Sequence, residues 1–204
     1  MAQIAEILPG VLHWTALHPS IRMDVSSYYL EQARALIDPM EPEEGAAWFG
    51  RRTPPERIVL TNRHHYRGSD RFREELGCPV LCHESGLHEF EDGPQVEGFS
   101  FGDEVAPGVT ALEVGVICPD ETALHVEVGD GVLAVADGVI SYDGLRFVPD
   151  QLLGDDPEGV KRGLRSAYEK LLDREFDAIL FAHGGPLVGS ARQALRGFVE
   201  AGGD

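Results

Sequence analysis

Short apolar segments bounded by turn residues recur along the chain and predict β-strands. Residues 11–17 and 23–29 are separated by a His-Pro-Ser turn, and the second segment alternates apolar with polar positions. A Gly-Asp-Gly sequence at 129–131 separates two later apolar segments and is typical of a hairpin turn. The predicted strands are residues 11–17, 23–29, 33–37, 58–61, 79–82, 109–116, 123–128, 132–136 and 178–182.

Apolar positions at helical spacing predict three helices. Asp155 or Asp156 followed by Pro157 marks the start of one of them, because aspartate caps the first turn and proline suits the first helical position. Residues 91–105 predict a loop and a strand pair at the surface, and periodicity alone limits the fold to the α/β or α+β class. The predicted helices are residues 69–76, 156–173 and 190–201, with weaker candidates at 41–48 and 83–90.

The chain is acidic, with 35 Asp and Glu residues, 17 Lys and Arg residues and a formal net charge of −18. Nucleic acids are bound through clustered basic residues, so this charge argues against them as partners. No segment approaches the roughly 20 apolar residues of a membrane helix, and no membrane partner is expected. The length of 204 residues suits a single domain spanning 1–204.

The cysteines and the first residues predict a cytoplasmic protein. Cys78, Cys82 and Cys118 are odd in number, which favours reduced thiols. The N-terminus lacks the basic segment and the long apolar core of a signal peptide. The expected partner is a small-molecule ligand or substrate, and the oligomeric state is left open, a homodimer included.

An apolar segment at residues 58–60 leads into a polar loop that carries two adjacent histidines. From Arg57 to Gly68 the sequence reads Arg-Ile-Val-Leu-Thr-Asn-Arg-His-His-Tyr-Arg-Gly, and a predicted helix follows. The segment therefore predicts a buried strand that ends in a loop at the start of a helix. Proteins of the α/β class place ligands and catalytic groups at the ends of buried strands, where a loop leads into a helix. This loop is therefore expected to carry the functional site.

The loop resembles the metal-binding loop of the metallo-β-lactamase fold superfamily, in which a strand ends in Thr-His-x-His-x-Asp-His-x-Gly. Aligned with that pattern from Thr61, Asn62 stands at the first histidine and His64 at the second. Tyr66 stands at the aspartate and Arg67 at the third histidine. The resemblance therefore implies that only one of the four ligands of this loop is retained.

Three later segments extend the resemblance over nearly the whole chain. A Glu-Val-Gly-Val segment puts Val116 at the position of a ligand histidine. A Val-Ala-Asp-Gly segment keeps the bridging aspartate as Asp137, and an Ala-His-Gly segment keeps the last histidine as His183. The resemblance implies an α+β fold, a four-layer αββα sandwich of two mixed β-sheets flanked by helices. It also implies that Asp38 is structural and holds the loop by hydrogen bonds.

The ligands retained are too few for the pair of metal ions that the resemblance implies. Such a pair needs imidazoles and carboxylates on both ions, whereas Asn62 is a poor ligand and neither Val116 nor Arg67 can coordinate. We therefore predict an eroded site that lacks the dinuclear zinc centre. No cofactor is expected, the alternative being one divalent metal ion.

The permanent positive charge of Arg67 suggests how the site manages without metal ions. A buried carboxylate is costly unless it is paired, so we predict that Arg67 lies near the vacated second metal position and pairs with Asp137. Asp137 and Tyr66 are the catalytic candidates. The predicted binding residues for a small, possibly anionic ligand are Asn62, Arg63, Arg67 and His183.

Two other functions stay open. In one, His64, Asp137 and His183 hold a single zinc, iron or manganese ion in a hydrolase of the glyoxalase II or lactonase type, which acts on esters, thioesters or lactones. Tyr66 would then polarise the substrate carbonyl. In the other, the chain is a noncatalytic interaction scaffold. His65 is predicted to pack on the side opposite His64, because side chains alternate along an extended segment.

Overall fold

The computed structural model describes residues 3–201 and contains two mixed β-sheets packed face to face. The first sheet has seven strands, which follow one another across the sheet in chain order. Its strands are β1 (Ala5–Leu8), β2 (Val11–Leu17), β3 (Asp24–Leu30), β4 (Ala35–Ile37), β5 (Arg57–Val59), β6 (Val80–His83) and β7 (Glu97–Phe99).

Strand direction in the first sheet changes at β4. The strands β1 to β4 pair in antiparallel fashion because short turns join them. The strands β4 to β7 pair in parallel, since helical segments cross over between them. These crossovers contain the 3₁₀ segments Ala46–Arg51, Arg63–Tyr66 and Glu84–Phe90 and the helix α1 (Ser69–Leu76).

The second half of the chain builds the second sheet, a separate hairpin and two helices. The strands are β8 (Glu104–Ala106), β9 (Val109–Glu113), β10 (Thr122–Val126), β11 (Val132–Val135), β12 (Val139–Ser141), β13 (Leu145–Phe147), β14 (Ala178–Phe181) and β15 (Leu187–Val188). The sheet order is β15-β14-β11-β10-β9-β8, and β12 pairs with β13. The parallel strands β11 and β14 are connected through α2 (Pro157–Leu171), and α3 (Ala191–Glu200) follows β15.

Buried apolar side chains form one core between the sheets and one on each outer face. The inner core joins Tyr28 and Val59 of the first sheet to Ala134 and Leu180 of the second. The helices α2 and α3 pack on the outer face of the second sheet, and α1 packs on that of the first. The four-layer αββα sandwich implied by the resemblance is therefore confirmed.

The predicted elements differ from the observed ones mainly where strands are short. The strand pair predicted within 91–105 is wrong, because β7 joins the first sheet while β8 joins the second. The helix candidate at 83–90 is a 3₁₀ segment, whereas only the last three residues of the candidate at 41–48 belong to one, Ala46–Arg51. The strands β1, β12, β13 and β15 were not predicted, since two to four residues carry too little periodicity. Within residues 3–201, no helix combines the length and the apolar character needed to cross a membrane.

Candidate functional site

Three segments bring polar side chains to the same edge of the two sheets. Residues 61–67 follow β5, Asp137 follows β11 and His183 follows β14. Because β11 and β14 are parallel neighbours, with Val135 opposite Phe181, Asp137 and His183 follow equivalent strand ends. Open sheets gather ligand-binding groups at the carboxyl ends of parallel strands, so this edge is the candidate site.

The Asp137 carboxylate lies at the centre of the cluster and contacts three side chains. Its Oδ1 lies 3.2 Å from His65 Nε2 and 3.0 Å from His183 Nε2. Its Oδ2 accepts a 2.8 Å hydrogen bond from Asn62 Nδ2. The side chains of Asp137 and His183 are 24% and 16% exposed, so both reach solvent while His65 is buried behind them.

His65 connects Asp137 to a second carboxylate, that of Asp38, which is buried. His65 Nδ1 lies 2.9 Å from Asp38 Oδ2. Asp38 Oδ1 accepts a 2.8 Å hydrogen bond from the Thr61 backbone N–H, and the Thr61 hydroxyl donates to Asp38 Oδ2. Asp38 therefore holds the loop against the end of β4, and its predicted structural role is confirmed.

These contacts determine the charges of the cluster. Burial raises the pKa of both Asp137 and Asp38, but interactions led by His65 lower both below the ordinary value, that of Asp137 strongly. Burial and the Arg67 charge lower the pKa of His65, yet the two carboxylates outweigh them and raise it to about 9. His65 is therefore an imidazolium at neutral pH, held between two carboxylates.

The structure places His65, rather than the predicted His64, beside Asp137. Residues Arg63–Tyr66 form a 3₁₀ turn, so the alternation of an extended strand does not apply to them. Asn62 caps this turn, with its Oδ1 accepting a 2.9 Å hydrogen bond from the His64 N–H, and the His64 side chain is exposed. Asparagine is a preferred capping residue, and this was the sequence signal that could have indicated the turn.

Arg67 does not pair with Asp137 as predicted. Its Nη1 donates to the carbonyl oxygens of Ser26 at 2.8 Å and Asp38 at 3.0 Å, and its Nη2 donates to that of Ala182 at 3.4 Å. In the part of the chain that the structure describes, no hydrogen bond joins it to the Asp137 carboxylate. Its charge acts on Asp38 and Asp137 through space.

Arg63 and Tyr66, predicted to contact a ligand or substrate, face other parts of the protein. The Arg63 guanidinium forms an ion pair with the buried carboxylate of Asp120. The Tyr66 hydroxyl donates to Asp70 at 2.6 Å and accepts a hydrogen bond from Arg73 at 3.1 Å. The 3₁₀ turn rotates these side chains away from the direction of an extended strand, so the structure does not bring them into the cluster.

The donor atoms of the cluster fit one metal ion. Ligand atoms of His65, Asp137 and His183 all lie within 4.8 Å of one another. Three protein ligands and an open position are the usual composition of a catalytic zinc site. Asp38 stands behind His65 as the outer carboxylate that commonly orients a ligating histidine.

The other positions predicted for metal ligands hold side chains of a different kind. Within residues 3–201, the cluster above is the one group of three such side chains that could hold an ion. Asn62 and Arg67 are engaged as hydrogen-bond donors, and position 116 is a valine. The described residues therefore offer one set of three donors for an ion.

Comparisons with solved structures show which fold this is. No protein-family model matches the sequence, and comparison with curated proteins finds no match. A metallo-beta-lactamase from Pontibacter korlensis aligns with a TM-score of 0.70 and 16% identity, over 97% of this chain and 98% of its own. A metallo-beta-lactamase family protein from Thermus thermophilus aligns with a TM-score of 0.65 and 18% identity, over 96% of this chain and 80% of its own.

A flavodiiron protein from Giardia intestinalis has the same architecture over part of its length. It aligns with a TM-score of 0.66 and 15% identity, over 99% of this chain and 59% of that chain. At these identities the likeness concerns the fold and not the reaction. The chain therefore has the metallo-β-lactamase fold.

The charge of His65 makes stability depend on pH. The pKa of His65 is raised from 6.5 to about 9 in the folded state, so its contribution is complete below pH 6.5 and is lost as pH rises through 9. We expect the free energy of unfolding to fall by about 2–3 kcal/mol over this range in the wild type, relative to His65→Gln. Urea denaturation at a series of pH values measures this difference.

His64→Gln is the matched control, because His64 is the exposed neighbour in the same turn. It should keep the pH dependence of the wild type. If His65→Gln and the wild type lose stability equally between pH 6.5 and 9, His65 is not the buried cation of the cluster.

The three carbonyl contacts of Arg67 predict a large cost for its removal. Arg67→Met removes a charged hydrogen-bond donor shared by three carbonyl oxygens, and it removes a positive charge near two carboxylates. We expect the free energy of unfolding to fall by about 2–4 kcal/mol, as measured by urea denaturation. Arg71→Met should cost less than about 1 kcal/mol, because Arg71 is 60% exposed in surface ion pairs. Equal costs for the two variants would contradict a structural role for Arg67.

Proposed function

We propose that this chain is a hydrolase-like protein in which an internal network of charged side chains replaces a dinuclear metal centre. It binds a small molecule at Asp137 and His183. The observation that supports this proposal is the surroundings of the Asp137 carboxylate. His65, His183 and Asn62 of the chain itself contact the carboxylate. These groups supply it with hydrogen bonds and positive charge without two metal ions.

The charges of the network support the same proposal. Asp38 and Asp137 supply two negative charges, and His65 and Arg67 supply two positive ones. Burying an unpaired carboxylate would be costly, whereas this set is balanced. Arg63 and Arg67 are both bonded within the protein, which removes the basis for expecting an anionic ligand at those two residues.

Asp137 and His183 form the part of the network that a ligand can reach. His183 contacts Asp137 through Nε2, and its Nδ1 has no hydrogen-bond partner among residues 3–201. A carboxylate that orients an imidazole enables the ring to accept a proton from a bound hydroxyl group or water molecule. Burial is the largest cause that lowers the pKa of His18, and the charges of Arg67, His65 and His183 lower it further. Because those charges belong to the cluster, this effect supports placing the turn between β2 and β3 beside the opening.

A single divalent ion is the second candidate, favoured by the short distances among the donor atoms of His65, Asp137 and His183. These three residues would hold a zinc, iron or manganese ion, and the substrates would be esters, thioesters or lactones. The ion would supply a bound water molecule of lowered pKa. A histidine that binds a metal ion must be neutral. Binding the ion therefore requires His65 to give up the proton that the two neighbouring carboxylates stabilise on its ring.

Metal content separates the two candidates. Protein purified without an affinity tag or added metal is analysed by inductively coupled plasma mass spectrometry, together with Asp137→Asn and with Asp92→Asn as an exposed control. The proposal predicts metal far below one ion per chain in all three proteins. One ion per chain that is lost only in Asp137→Asn would support the second candidate, and two ions per chain would contradict the proposal.

Hydrolysis of p-nitrophenyl acetate in the presence of EDTA tests the base role of His183. We expect the wild type to hydrolyse the ester faster than buffer alone does. In His183→Gln, the rate above buffer should be about 100-fold lower than in the wild type, because a positioned base contributes a factor of that order. His125→Gln is the control, since His125 contacts the Glu175 carbonyl oxygen away from the site. A rate that disappears in EDTA and returns with zinc would exclude the metal-free reaction.

A further inference from the structure

We infer that Asp120 and Glu121 are positioning residues, which fix from one short loop the two segments that carry the Asp137 cluster. The inference rests on the proposed function, since it concerns the same site. The loop lies between β9 and β10, where the resemblance expected a metal ligand at position 116. Asp120 and Glu121 are both 0% exposed, although acidic residues are seldom fully buried.

Asp120 fixes the start of the turn that carries His65. Its Oδ2 accepts a 2.6 Å hydrogen bond from the Arg63 backbone N–H, and its Oδ1 pairs with the Arg63 guanidinium. The neighbouring Thr122 N–H donates to the Thr61 carbonyl oxygen at 2.8 Å. Asp120 therefore holds Arg63, the first residue of the 3₁₀ turn. The position of this residue helps to set where the His65 ring lies, two residues further along the same turn.

Glu121 fixes the peptide that follows Asp137. Its Oε1 accepts a 2.8 Å hydrogen bond from the Gly138 N–H, and its Oε2 accepts one of 3.0 Å from the Ile117 N–H. A Cβ at position 138 would lie 2.9 Å from Glu121 Oε1 and 2.7 Å from a Leu164 methyl group. A side chain at position 138 would therefore displace the Glu121 carboxylate or Leu164 from the positions they hold here.

The chemistry of Glu121 indicates a role beyond packing. Among residues 3–201 it forms no ion pair, and burial raises its pKa to about 7. An apolar side chain of similar volume would fill this space without the cost of desolvating a carboxyl group. What the carboxyl group provides is two acceptors, one for its own loop and one for the peptide next to Asp137.

The role of Glu121 is tested by nuclear magnetic resonance of the intact chain without added ligand. In Glu121→Ala, we expect hydrogen exchange at the Gly138 amide to accelerate by about tenfold or more, and the His65 and His183 imidazole signals to shift. In Glu121→Gln, a side-chain oxygen remains to accept from Gly138, and these signals should return toward those of the wild type. Glu175→Ala, which removes an ion pair with Arg192 elsewhere, should leave them unchanged.

Asp120→Asn provides a second test that does not depend on the folding of Glu121→Ala. It keeps one oxygen for the Arg63 N–H but loses the charge of the ion pair, so the His65 signals should shift more than those of His183. Unchanged His65 signals in Asp120→Asn, or a folded Glu121→Ala that keeps the Gly138 exchange rate and the imidazole signals of the wild type, would overturn the inference. None of these signals requires a ligand, so a failure to hydrolyse p-nitrophenyl acetate in EDTA would contradict the proposed function alone.

Discussion

The carboxylate–imidazolium–carboxylate chain of Asp38, His65 and Asp137 is the interaction on which the site depends. Asp38 follows β4 of the first sheet and Asp137 follows β11 of the second, so the His65 ring joins the two halves of the sandwich. Removing the positive ring would take away the cation that lies between the Asp38 and Asp137 carboxylates. The charge of the cluster follows from this contact.

The fold explains where the cluster lies but not what it does. Parallel strands deliver Asp137 and His183 to one sheet edge, and the loop after β5 meets them there. Metallo-beta-lactamases and flavodiiron proteins share this architecture at 18% identity or less in the alignments above. One scaffold thus supports different chemistries, and the side chains at the edge decide which of them is available.

The resemblance to a known family predicted the sandwich and two members of the cluster, whereas periodicity alone limited the fold to the α/β or α+β class. Asp137 and His183 directly follow long apolar segments, whose strand character is easily predicted. His65 was misplaced because a local turn, capped by Asn62, replaces an extended segment. The partners of Arg67 come from residues 26, 38 and 182, and no local pattern brings such distant carbonyl groups together. The buried pair Asp120 and Glu121 gave no signal, since acidic residues before a strand usually lie at the surface.

The charge of the His65 ring at neutral pH tests the central claim most directly. Long-range ¹H–¹⁵N spectra of the imidazole distinguish a ring protonated on both nitrogens from a neutral or metal-bound ring. We expect both nitrogens of His65 to carry protons at pH 7 and added zinc to leave the spectrum unchanged. A neutral ring with one nitrogen bound to a metal ion would contradict this expectation.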